Sequence, residues 1–164
     1  TLRGSDTGCS ALHIRTRQRC GTPGLGSVVL CDTIGIEQGG AAMRKTILLV
    51  DDEAIVLKLM QRVMSDIAPQ CDLIAVPDGA TALALLEQYP IHLIITDQRM
   101  PDMDGISLCK AIRERNVTEP IVMITAWANE QLMQNAEMVG VDFFLTKPFT
   151  YEQMIGIMKA TSIA

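Results

Sequence analysis

Residues 46–52 read Thr-Ile-Leu-Leu-Val-Asp-Asp. An apolar run without polar alternation, ended by two carboxylates, suits a strand buried on both faces of a parallel sheet. Similar short runs recur at Leu73–Val76, Leu93–Thr96, Ile121–Thr125 and Phe143–Leu145. Between them apolar residues fall at helical spacing: Ile55, Val56, Leu59, Met60, Val63 and Met64 first, then Ala80–Gln88, Ile106–Arg115, Glu130–Val139 and Tyr151–Ile163. The alternation predicts an α/β fold of five βα units, (βα)5, with right-handed crossovers and helices on both faces of the sheet. The doubly wound order 2-1-3-4-5 is the simplest five-stranded choice.

The rest of the chain divides at Met43. All ten Met and all six aromatic residues lie at or after it, whereas eight of the 12 Gly precede it. Residues 1–42 therefore lack the large side chains a core needs and are expected to be disordered or non-native, leaving 43–164 as the single domain. Gln38-Gly39-Gly40 can be encoded by a purine-rich ribosome-binding sequence, with Met43 at the distance of a start codon. The expectation is that residues 1–42 are upstream DNA read in frame.

Composition excludes several classes. No apolar run approaches the roughly 20 residues of a membrane span, and no secretory signal is visible, which predicts a cytoplasmic protein. Cys9, Cys20 and Cys31 precede Met43 and Cys71 and Cys109 follow it, an odd count without a dense framework, so disulfides are not expected. The even spacing of the first three, with His13 nearby, lacks the close C-x-x-C pairs of zinc sites. The chain carries 14 Lys+Arg against 19 Asp+Glu, with the acidic excess after Met43, and this argues against direct nucleic-acid binding.

In a doubly wound sheet, ligands bind outside the carboxyl ends of the strands where the order reverses, between strands 1 and 3. Asp51 and Asp52 follow strand 1, Asp97 ends strand 3, Thr125 ends strand 4 and Lys147 follows strand 5. Three carboxylates, a hydroxyl and an ammonium are thus expected in one crevice. Clustered carboxylates repel unless a hard cation joins them, and oxygen donors with an incomplete protein shell suit Mg²⁺. Positive charge and an O–H donor beside the carboxylate of Asp97 would hold a tetrahedral anion against a nucleophile, which is the arrangement phosphoryl transfer requires.

Residues 47–53 (ILLVDDE), 95–105 (ITDQRMPDMDG), 123–126 (MITA) and 143–149 (FFLTKPF) together resemble the receiver domain of bacterial two-component response regulators. The resemblance covers residues 43–164 and implies the flavodoxin-like fold. It implies Asp97 as the phosphoacceptor, and Asp51, Asp52, Asp97 and the backbone carbonyl of Arg99 as Mg²⁺ ligands. It further implies Thr125 as the switch hydroxyl, Lys147 as the phosphoryl-binding cation and Phe144 as the switch aromatic. The implied donor is a histidine kinase or histidine phosphotransfer protein. Lys147-Pro148 resembles the cis peptide of that family. The implied chemistry is limited to the domain's own aspartyl phosphorylation and dephosphorylation, so it is not expected to be an enzyme acting on other substrates.

Each residue also has a plainer reading. Asp51 and Asp52 could only cap the helix that begins near Ala54, and Asp97 could only open the Pro101–Gly105 turn. Their convergence on one strand-end crevice favours the site. The resemblance implies that Arg99 and Trp127, both bulky, look over the phosphoryl group, where they would hinder water, with stabilisation of developing charge by Arg99 as the alternative. His92 is expected to be a surface or helix-contact residue. Phe143 and Phe144, being adjacent on a strand, must face opposite sides.

Because the chain stops after the fifth helix, its output is expected to be binding by a stand-alone receiver that switches a partner or homodimer surface on helix 4, strand 5 and helix 5. The alternative is the receiver portion of a longer regulator or hybrid histidine kinase. A phosphate-specific hydrolase is a third reading, which lacks a second acid–base carboxylate. The final helix carries Met154, Ile155, Ile157 and Met158, wider apolar coverage than one buried stripe needs, and Met138, Met154 and Met158 are expected at the partner surface.

Overall fold

The computed structural model describes residues 44–163. Aliphatic runs form the five strands, β1 (Thr46–Val50), β2 (Asp72–Val76), β3 (Leu93–Asp97), β4 (Ile121–Thr125) and β5 (Phe143–Thr146). All pairings are parallel and the order is β2-β1-β3-β4-β5. The expected (βα)5 doubly wound, flavodoxin-like arrangement is therefore the observed one. Every residue of β3 and β4 is buried, while β2 and β5, at the edges, are only partly so.

Alternation along the strands divides the core into two layers. On one face Ile47, Leu49, Ile95 and Ile124 pack with α1 (Ala54–Ile67) and α5 (Tyr151–Ala160) through Met60, Met64, Met154 and Met158. On the other, Leu48, Ile94, Ile121 and Met123 pack with α2 (Gly79–Leu86), α3 (Gly105–Glu114) and α4 (Glu130–Met138) through Ala82, Leu108, Ile112 and Ala136. Phe143 and Phe144 join opposite layers, as adjacent strand residues must.

The helix starts follow capping chemistry. Asp78, Asp104 and Asn129 accept from the backbone N–H groups of Thr81, Ser107 and Leu132, and Thr150 forms a reciprocal capping box with Gln153. The start of α1 differs, because its N-cap is Glu53 and no side chain caps it. Asp51 and Asp52 are thus not the caps of that helix.

Two expectations are corrected. The fifth helix ends at Ala160, not Ile163. Ser162 takes φ 55° there, and the N–H groups of Ser162 and Ile163 return to the carbonyls of Lys159 and Met158. This is a Schellman ending whose last residue, Ile163, buries itself at the base of the sheet. Met154, Ile157 and Met158 are buried in the core, so Met154 and Met158 are not surface residues. The inward stripe of α1 is likewise narrower than the apolar spacing suggests: Met60 and Met64 are buried, but Ile55 is 82% and Leu59 60% exposed.

Cys71 and Cys109 are free and buried. The first 42 residues, with Cys9, His13, Cys20 and Cys31 and the proposed start at Met43, lie outside the described residues. No helix among the described residues is long and apolar enough to cross a membrane.

Candidate functional site

Strand register brings the site together. Val50 stands beside Thr96, so the next residues, Asp51 and Asp97, emerge side by side where β1 and β3 end. Thr125 pairs with Thr146, and one residue later Lys147 N–H donates to the carbonyl of Thr125 at 2.7 Å. The Lys147–Pro148 peptide is cis.

Asp51 and Asp97 are both buried, at 6% and 8% exposure. Lys147 Nζ lies between them, donating to Asp97 Oδ1 at 2.6 Å and to Asp51 Oδ2 at 3.2 Å. The other oxygens are held by backbone: Arg99 N–H donates to Asp97 Oδ2 at 2.6 Å and Glu53 N–H to Asp51 Oδ1 at 2.9 Å. Both carboxylates are therefore oriented by a local turn and a long-range ammonium together, which an ordinary turn-opening Asp does not require.

The electrostatics follow from that geometry. Burial pushes the Asp51 carboxyl above its ordinary range; the Glu53 N–H and Lys147 oppose the shift, and nearby Asp97 adds to it. For Lys147 burial is the largest single influence and acts downward, but the hydrogen bonds and attraction of Asp97 and Asp51 together outweigh it, and the net direction is up. A cavity of about 20 Å³ beneath the cluster reaches from Asp51, Asp97 and Lys147 to Val56, Leu57 and Met60 of α1. That is room for about one water.

The other expected residues stand apart from this triad. Asp52 is exposed, one residue past Asp51 and facing solvent. Among the described residues no three His, Cys, Asp or Glu side chains stand together as a metal-holding group, so the expected cluster of three carboxylates is a close pair with Asp52 outside it. Thr125 is buried, and its Oγ1 accepts from the Trp127 backbone N–H at 3.2 Å. Phe144 is half-buried in the layer of α2, α3 and α4. Arg99 is exposed and Trp127 is 67% exposed, so both lie at the rim. His92 joins β1 to the chain entering β3, its Nδ1 accepting from Thr46 N–H at 3.1 Å.

The donor set fits Mg²⁺. Carboxylate and carbonyl oxygens are hard ligands, and this ion keeps several waters while taking only one or two protein carboxylates. The buried Asp51–Asp97 pair supplies the carboxylates, with Asp52 one residue beyond Asp51 and the Arg99 carbonyl two residues beyond Asp97 as the further oxygen donors those two loops offer.

One contact escapes the sequence reading. Gly105, at the start of α3, comes so close to the end of β3 that a Cβ would stand 2.6 Å from the Asp97 carbonyl oxygen. The available signal was a glycine at the first helical position, where a helix former is the ordinary choice.

A family model described as the response regulator receiver domain matches residues 47–159. The alkaline phosphatase synthesis transcriptional regulatory protein PhoP of Bacillus subtilis is 35% identical over 118 residues, covering 72% of this chain and 48% of that protein. The chain thus spans about half of that relative's length. A probable chemotaxis protein CheY of Rhizobium etli is 30% identical over 116 residues, covering 70% of this chain and 89% of the relative. Among solved structures, Vibrio cholerae chemotaxis protein CheY4 superposes with a TM-score of 0.67 at 27% identity, covering 72% of this chain and 98% of that one. Fold, strand-end cluster and family match agree, and the chain belongs to the response regulator receiver domain family.

Proposed function

We propose that this receiver domain takes a phosphoryl group from a phosphohistidine onto Asp97. The observation that carries the reading is the Lys147 ammonium held between buried Asp51 and Asp97. An Asp97 carboxylate oxygen attacks phosphorus as the P–N bond to the donor imidazole breaks, leaving an aspartyl phosphate and a histidine that takes up a proton. Lys147 then faces the phosphoryl oxygens it can neutralise, and the Arg99 N–H keeps the other carboxylate oxygen oriented. Asp51, Asp52, Asp97 and the Arg99 carbonyl would hold Mg²⁺, which when bound supplies positive charge to the transferring group. Thr125 would leave the Trp127 N–H to donate to the phosphoryl group, and Phe144 would move into the space behind it.

The domain catalyses its own phosphorylation and dephosphorylation and acts on no other substrate. Its partners are a histidine kinase or phosphotransfer protein and a downstream protein, or a second copy, meeting α4, β5 and α5. Nucleic acid and membrane are not direct partners, and its place is the cytoplasm.

The test is to incubate the chain with Mg²⁺ and a small acyl phosphate and map the label. One phosphoryl group on Asp97 is expected, with none on Asp97→Asn. Equal labelling of that variant refutes the assignment. Asp52→Ala is expected to label weakly and to recover partly in excess Mg²⁺. A second reading, the receiver portion of a longer regulator, is favoured by the 48% coverage of PhoP. An in-frame stop codon directly after Ala164 in the gene would exclude it.

A further inference from the structure

Gly105 opens α3 where the fold has no room for a side chain. A Cβ there would stand 2.6 Å from the Asp97 carbonyl oxygen and 3.0 Å from both Cα and Oε1 of Gln98. The first two are backbone atoms at the end of a central strand, pinned by Gln98 N–H donating to the Ile124 carbonyl at 2.8 Å. They cannot swing aside as a flexible side chain does. At Gly79, by contrast, the nearest atom is the sulfur of Met103, and around Gly156 nothing lies within 4 Å.

Residues 97–105 form a closed loop. Gly105 N–H donates to the Gln98 carbonyl at 3.0 Å, the Asp104 side chain caps α3, and Arg99 N–H holds Asp97 Oδ2. Gln98 Oε1 is buried against Gly105 without a hydrogen-bond partner, so on the side-chain side this wall is close contact alone. A methyl at position 105 must therefore move either the first turn of α3 or the Asp97–Gln98 peptide. The Asp97 carboxylate and the Arg99 amide move with that peptide, and the 2.6 Å contact with Lys147 is the one to lengthen.

We propose that Gly105 is a positioning residue for Asp97: its missing side chain lets α3 press on the end of β3 and sets where the carboxylate stands relative to Lys147. This rests on the reading of Asp97 as phosphoacceptor. The experiment compares the full chain with Gly105→Ala, Gly156→Ala and the double variant. Labelling rates are followed over a series of acyl phosphate concentrations with Mg²⁺ and normalised to the folded fraction from circular dichroism, and Tm is recorded for each. Gly156→Ala meets open space in a helix interior, so it raises stability and offsets what Gly105→Ala loses. The expected result is a double variant with recovered Tm whose maximal labelling rate stays about 10- to 100-fold below the parent, the half-saturating donor concentration changing far less. Gly156→Ala alone labels like the parent. A double variant that labels at the parental rate overturns the proposal, since the loss would then be one of stability alone. A parent that acquires no label on Asp97 overturns the functional reading and the proposal with it.

Discussion

Asp51 carries a charge in a place that resists it. Its folded-state pKa is raised, chiefly by burial, so the native chain holds that proton more tightly than the unfolded chain does. The resulting stability is complete below the unfolded carboxyl value of 3.8 and is lost as pH rises through the folded value. Asp51→Asn is therefore expected to raise the Tm of the metal-free chain at neutral pH and to weaken Mg²⁺ binding; melts with and without Mg²⁺ check both. Lys147 shifts in the same direction, but there the raised value favours the charged form. Its raised pKa gives stability that is complete below 10.5 and fades only as pH climbs through the folded value. Lys147→Met leaves two buried carboxylates facing each other and is expected to cost about 2 kcal/mol in denaturant melts, the low side for a broken pair because the ammonium is 26% exposed. Arg99 and Trp127 stand exposed two residues beyond Asp97 and Thr125. Trimming both to Ala should speed loss of the phosphoryl group several-fold, about 1 kcal/mol of barrier, read from the decay of labelled protein.

Helices α1 and α5 show how an apolar pattern divides between core and surface. On α1, Ile55 and Leu59 are one turn apart and exposed, next to the loop that carries Asp51 and Asp52. If the proposed phosphohistidine donor docks on this exposed pair, its transfer depends on the helix, whereas that of a small acyl phosphate does not. Leu59→Lys is therefore expected to slow transfer from the protein donor at least tenfold, about 1.4 kcal/mol, and to leave acyl phosphate labelling unchanged. On α5 the apolar residues are spent on the core. Met158→Lys would bury a charge and unfold the domain. Met133, Met138 and Tyr151 are the large apolar side chains that α4 and α5 leave exposed, and the proposed partner surface rests on them instead. Met138→Lys is expected to abolish phosphorylation-dependent self-association, measured by light scattering of the labelled chain, while labelling of Asp97 persists.

At the scale of the molecule, chemistry and structural support sit at opposite ends of the sheet. At the end away from Asp97, Arg113 donates to the carbonyls of Val117, Glu119 and Gly140 and to Asp142, while Asp142 also accepts from Ile121 N–H. One side chain thus joins α3 to the turns leading into β4 and β5. Arg113→Ala leaves several partly buried carbonyls without a donor, and a loss of about 2–3 kcal/mol is expected in denaturant melts, with an unchanged labelling rate for the molecules that remain folded.

The strands were legible in the amino-acid sequence because their apolar runs are local, and the candidate site because each of its residues directly follows or ends a strand. Runs such as Ile121–Thr125 are apolar throughout, so they have to be buried on both faces, and carboxyl ends of parallel strands converge wherever the order reverses. Asp51, Asp97 and Lys147 follow directly from those two facts. Tertiary structure alone decided which way equivalent side chains point. Met158 and Leu59 are both apolar helix residues, yet one is buried and the other exposed, because the helix axis is set by the whole sheet and not by the helix's own pattern. Asp52 and Thr125 lie at the predicted strand ends, but a turn directs one to solvent and a backbone N–H holds the hydroxyl of the other. The approach of Gly105 to the Asp97 carbonyl belongs to the same class: it depends on where a strand and a helix meet in space, a distance that no spacing along the chain encodes.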